Sequence, residues 1–79
     1  MAVDEEVKKI IRRITRNPDA EISPETTFGD LKADSLDIVQ VMAAIEDMYD
    51  IELEEEGLRH LKNLGEFIAF VEKTVEEKG

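Results

Sequence analysis

Aliphatic side chains recur three and four residues apart in three separate stretches of this 79-residue chain, and no stretch alternates convincingly as a strand would. In the first stretch Val7, Ile10, Ile11 and Ile14 share one side, with Lys8, Lys9, Arg12 and Arg13 on the other. In the second, Ile38, Val41, Met42, Ile45 and Tyr49 follow the spacing of a core-facing stripe. The third carries Leu64, Phe67, Ile68, Val71 and Val75. A chain this short can fill only one core of useful size, so the stripes must meet in it. The pattern predicts an all-α fold, a small bundle of three longer helices plus one short helix, in a single domain spanning residues 1–79.

Punctuation between the stripes sets the boundaries. Asp4 is placed to cap the first helix, which should end near Asn17-Pro18. Residues 16–33 hold Pro18, Pro24, Gly29 and a Ser23-Pro24-Glu25 turn starter, and so read as a long connection that Phe28 and Leu31 pin to the core. The central helix runs from about Ser35 to Tyr49. An acidic connection from Asp50 to Glu56 carries Ile51 and Leu53 and leads to a short helical piece around Leu58 and Leu61. Asn63 with Glu66 resembles a capping box opening the last helix.

Composition excludes several kinds of chemistry. Without cysteine the chain has no disulfide framework, no zinc-thiolate site and no thiol nucleophile. Three Phe and one Tyr leave little material for a deep apolar pocket, so catalysis on a large substrate is not expected. The opening MAVDEEVKKI lacks the basic-then-apolar pattern of a signal peptide, and no apolar run approaches membrane-spanning length. The expectation is a cytoplasmic protein with no membrane partner. The net charge of −10 is concentrated: residues 30–56 hold ten acids against Lys32 alone. Such a segment repels nucleic acid and steers basic protein surfaces toward itself. On charge alone, a solvated face kept for solubility is the commoner reason for such a cluster.

The central helix is apolar on more than one side. Rotating away from the core stripe, Leu36, Val39, Gln40, Ala43 and Asp47 form a second stripe with Asp37 and Glu46 on its edges. It suits a transient partner, or else belongs to a helix packed nearly all round. At the helix start, Asp34 is a plausible N-cap and Asp37 falls in the first turn. Ser35 sits between them. A phosphate ester on its hydroxyl would lie beside the positive helix end, whereas a serine there can also serve simply as a cap. Catalysis by Ser35 is disfavoured, because the one histidine, His60, lies 25 residues away and nothing suggests an oriented triad. His60 is expected at or near the surface, and the chain is expected not to be an enzyme.

The segment FGDLKADSLDIVQVMAAIEDMYDIEL, from Phe28 to Leu53, resembles the acyl carrier protein family, whose hallmark is D-S-L at the start of the second helix after an F…D-L-G-A stretch. The likeness continues more weakly to Val71, and the first helix agrees mainly in pattern. The resemblance implies that Ser35 accepts 4′-phosphopantetheine from coenzyme A through a phosphopantetheinyl transferase that uses magnesium. The arm would bring the thiol that the chain lacks and hold acyl groups as thioesters for enzymes of fatty acid, polyketide or related biosynthesis. By match, Asp34, Leu36, Asp37, Val39, Gln40, Ala43, Glu46 and Asp47 would dock basic patches on those enzymes, acyl chains would slip between the helices, and the carrier would be a free-standing monomer.

Some positions depart from the common fatty-acid pattern. Lys32 stands for the usual glycine, so any positive-φ backbone there would be less comfortable. The spacing from Phe28 to the Asp-Leu pair is one residue shorter, as in polyketide carrier domains. Gln40 and Ala43 replace a usual acid and a common methionine. These changes point to a specialised carrier. The competing reading is an acidic helical protein-interaction module without a prosthetic group, in which Glu54, Glu55 and Glu56 could hold calcium loosely, although no EF-hand spacing is present.

Overall fold

The computed structural model describes residues 3–78, so the first two residues of the N-terminal stretch and the final glycine lie outside it. The first stripe forms α1 (Val3–Thr15), which buries Val3, Val7, Ile10 and Ile11. The helix already includes Val3, so Asp4 is not the residue before it. Instead Asp4 joins Glu5 and Glu6 in the first turn, where carboxylates complement the positive helix end. The predicted end near Asn17 is realised by a Schellman motif. Arg16 takes a left-handed conformation with φ 62°, and Asn17 N–H reaches back to Arg12 O at 2.9 Å.

The connection that follows is ordered by the side chains beside it. Arg12 Nε donates to Ala20 O at 2.8 Å, and Asn17 Nδ2 donates to Leu31 O at 3.0 Å. Ser23 to Thr26 forms the expected turn, closed by Thr26 N–H on Ser23 O. A one-turn 3-10 helix, Gly29–Leu31, delivers Leu31 to the core, and the Phe28 ring meets Phe67 edge-on at 5.5 Å.

The second stripe becomes α2 (Ser35–Tyr49), with Val41 and Ile45 fully buried and Ile38, Met42 and Tyr49 half-buried at its margins. Ile51 and Leu53 are buried in the acidic connection. The short helix α3 (Glu55–Arg59) contains Leu58, and Leu61 follows in the next turn. Gly57 faces the Phe70 ring, where an added Cβ would come within 3.1 Å. The last helix, α4 (Leu64–Lys78), buries Leu64, Phe67, Ile68 and Val71. Its start departs slightly from a capping box: Asn63 Oδ1 accepts from Glu66 N–H at 2.9 Å, but Glu66 Oε1 accepts from Lys62 N–H rather than from Asn63.

Helix α1 packs against both α2 and α4, and residues from all three long helices and both connections share one apolar core. Fully burying a side chain such as Ile11 or Ile45 contributes about 1.5–3 kcal/mol. A further tie had no signature in the side-chain pattern. The first amides of α4 donate to the long connection, Leu64 N–H to Thr26 O at 2.7 Å and Gly65 N–H to Pro24 O at 3.0 Å. A Cβ on Gly65 would lie 2.8 Å from Pro24 atoms, so only glycine allows this approach. Among the described residues no helix is long and apolar enough to cross a membrane.

Candidate functional site

The tip of α2 is built by two consecutive small constructions. In the first, Thr27 N–H donates to Asp30 Oδ2 and Asp30 N–H donates to Thr27 Oγ1, both at 3.0 Å, which starts the 3-10 turn. The turn closes on Lys32, left-handed at φ 58° and ψ 31°, whose N–H bonds Gly29 O. The positive φ anticipated for a glycine therefore falls on a lysine. In the second, Asp34 adopts an extended backbone and caps α2 through a reciprocal pair: Asp37 N–H to Asp34 Oδ1 at 2.9 Å, and Asp34 N–H to Asp37 Oδ2 at 3.4 Å. The capping role read for Asp34 and Asp37 is what the geometry has.

Ser35 is the first residue of the helix thus fixed. It is exposed, and among the described residues its hydroxyl makes no hydrogen bond. The cap that a serine might have supplied comes from Asp34 instead, which leaves the Ser35 oxygen uncommitted. The N–H groups of the first turn point outward beside it at the positive end of the helix dipole.

The second stripe is exposed rather than packed. Leu36 is 64% exposed and Val39 is 58% exposed, and Gln40, Ala43 and Asp47 also face solvent. The alternative of a helix buried all round is therefore excluded. Asp37 and Glu46 are half-buried at its edges, as their register implies. Glu46 is partly committed elsewhere, since its Oε2 accepts from Leu53 N–H at 2.8 Å and so anchors the acidic connection to α2. Met48, half exposed near the end of the helix, was not singled out by the stripe pattern, because at about 100° per residue it sits about a third of a turn from Leu36 and on the opposite side from Val39.

A cavity of about 250 Å³ opens between α2, α3, α4 and the long connection, lined on its apolar side by Phe28, Ile38, Leu58, Leu61 and Phe67. His60 is exposed at the end of α3 and is not hydrogen-bonded to Ser35. The side chain of Glu55 lies outside what is described, and among the described residues no group of three or more His, Cys, Asp or Glu is placed to hold a metal.

An exposed alcohol on a capped helix tip, an exposed apolar stripe with acidic edges and a small interhelical cavity suit a helical carrier, a protein acted upon by others. The comparisons with known proteins resolve the class. The family of phosphopantetheine attachment sites matches residues 5–71. The chain is 45% identical over 73 residues to an acyl carrier protein of Streptococcus pneumoniae serotype 4, covering 92% of this chain and 96% of that one. It is 47% identical over 74 residues to an acyl carrier protein of Streptococcus pyogenes serotype M1, with the same coverage. Its fold matches a holo acyl carrier protein from Geobacter metallireducens with a TM-score of 0.86 and 26% identity, covering 99% of this chain and 91% of that one. The chain belongs to the acyl carrier protein family: it is a non-catalytic carrier with a phosphopantetheine attachment site.

Proposed function

We propose that Ser35 is the residue that takes 4′-phosphopantetheine, and that residues 1–79 act as one cytoplasmic, monomeric carrier domain. The exposed, uncommitted Ser35 oxygen at the tip of α2 carries this reading. Asp34 and Asp37 hold the helix start rigid, so the alcohol is presented at a fixed place to an incoming transferase. Among the described residues no base is hydrogen-bonded to the Ser35 hydroxyl, so its proton goes to a base that the phosphopantetheinyl transferase brings. The residues fit the group, since a phosphate ester at this position meets the positive end of α2. When bound, the arm supplies the thiol that a cysteine-free chain lacks, and holds acyl groups as thioesters.

Partner enzymes of fatty acid, polyketide or related biosynthesis would dock on Leu36, Val39, Gln40, Ala43 and Asp47, with Asp34, Asp37 and Glu46 as the acidic edge. Exposed Leu36 and Val39 supply apolar burial on docking, and the carboxylates speed encounter with basic patches while leaving the complex short-lived. The cavity beside Ile38 offers an acyl chain an apolar shelter between contacts.

Incubation with coenzyme A, magnesium and a phosphopantetheinyl transferase should add one arm by intact mass to the native chain and none to Ser35→Ala. A well-folded native chain that stays unmodified, while binding basic proteins through α2, would favour the interaction module instead.

A further inference from the structure

We propose that Lys32 pairs with the phosphodiester that Ser35 carries after loading, and so acts as a positioning residue for the first segment of the arm; this rests on the assignment of Ser35 above. Lys32 is the one cation between residues 30 and 56. It is exposed, and among the described residues its ammonium forms no ion pair. Its backbone is fixed in a left-handed conformation by the bond from its N–H to Gly29 O, three residues before Ser35. Three residues span at most about 11 Å, and the four-carbon lysine stem covers much of that distance.

The electrostatics of the tip favour such a pair. A phosphodiester on Ser35 adds negative charge beside Asp34 and Asp37, whose carboxylates are held at the helix start by the capping box, and near Asp30 in the preceding turn. The only basic side chain adjoining these acids in the sequence is Lys32. Among the described residues its ammonium has no ion-pair partner, and loading supplies one. The left-handed lysine is then a residue held in an uncomfortable conformation at the one place where its charge adjoins the attachment point.

The test is a cycle of loading against charge. Native protein, Lys32→Gln, Lys32→Arg and Lys62→Gln are each prepared unloaded and loaded, with loading verified by intact mass, and melted at low salt and at 0.5 M NaCl (about 4 Å screening length). Lys62 is included because it is the cation that borders the cavity beside Ile38. At low salt, loading should lower the melting temperature of Lys32→Gln by about 1–4 °C more than that of the native chain, Lys32→Arg or Lys62→Gln. At high salt the four proteins should respond alike. Equal loading effects at low salt, or an effect that follows Lys62 instead, would overturn the pairing while leaving Ser35 as the attachment point. Failure of the native chain to gain the arm would remove both.

Discussion

Arg16, Lys32 and Asp50 hold left-handed backbone conformations at φ 62°, 58° and 54°, a region that glycine enters without steric cost. Arg16 and Asp50 do so at the ends of α1 and α2, where the following amides, Asn17 and Ile51, bond back to Arg12 O and Glu46 O. Helix ends of this kind usually announce themselves by glycine. Here they do not, which is why the first helix end was legible only from Pro18 and the second only from the run of acids. Arg16 is exposed, so Arg16→Gly should raise stability by about 0.5–1 kcal/mol in a urea melt, relief of the left-handed strain outweighing the entropy that glycine adds to the unfolded chain. Asp50 is different because it has a partner. The Lys78 ammonium hydrogen-bonds its carboxylate at 2.7 Å and also donates to its backbone carbonyl, and this bond, with the attraction of the charge, holds the Asp50 carboxyl below its ordinary value. A folded value lower than the unfolded one means stability that is present above pH 3.8 and lost as the pH falls through the folded value. Urea midpoints of the native chain and Lys78→Met should therefore differ at neutral pH and converge below 3.8. A gap that persists unchanged into acid would show that the lysine acts through packing alone.

At the scale of elements, helical periodicity read the three long helices and their buried faces, because amphipathic spacing and burial are the same fact seen from two sides. The caps at Asp34 and Asn63 were legible for a similar reason, being side-chain devices with local spacing. What stayed hidden was contact between distant backbones. The amides of Leu64 and Gly65 on the long connection involve no side-chain donor, and the sequence marks them only by a glycine whose purpose is visible once Pro24 lies against it. Glu46 is an intermediate case. Its register put it on the docking edge, yet the carboxylate accepts from the N–H of buried Leu53 and holds the approach to α3. Glu46→Ala should therefore cost about 1–3 kcal/mol by leaving that amide unsatisfied, and Glu46→Gln, which keeps an acceptor oxygen, should cost less. Asp47→Ala, one residue on and exposed, should stay within about 0.5 kcal/mol of native. Denaturant midpoints for the three variants check the order, and equal losses at Glu46 and Asp47 would refute it.

Over the whole molecule, D-S-L and its flanks marked the candidate site in the sequence, whereas its exposure was not legible there: whether Ser35, Leu36 and Val39 face solvent depends on how α2 sits among the other helices. Charge was legible in amount but not in pairing, and the pairing decides how the molecule responds to salt. Residues 30–56 carry ten acids and one base, yet among the described residues only two ion pairs form, Lys9 with Glu6 at 3.9 Å and Lys78 with Asp50. One of the two touches the acidic segment. The remaining carboxylates there repel one another across a molecule whose dimensions are 31 × 26 × 20 Å, comparable to the screening length of about 30 Å at 0.01 M ionic strength. At 0.15 M that length shrinks to about 8 Å, so most of the repulsion between separated carboxylates is removed. Salt also weakens the Lys78–Asp50 pair, but that pair is exposed and already screened by solvent, so its loss opposes the trend only weakly. The melting temperature should therefore rise by several degrees, on the order of 5 °C, between 0.01 and 0.15 M NaCl. Millimolar magnesium should act in the same direction at lower ionic strength, because a divalent ion is attracted more strongly to clustered carboxylates. A melting temperature that stays flat or falls across this range would mean that the acids of α2 and the following connection are already neutralised by partners within the fold.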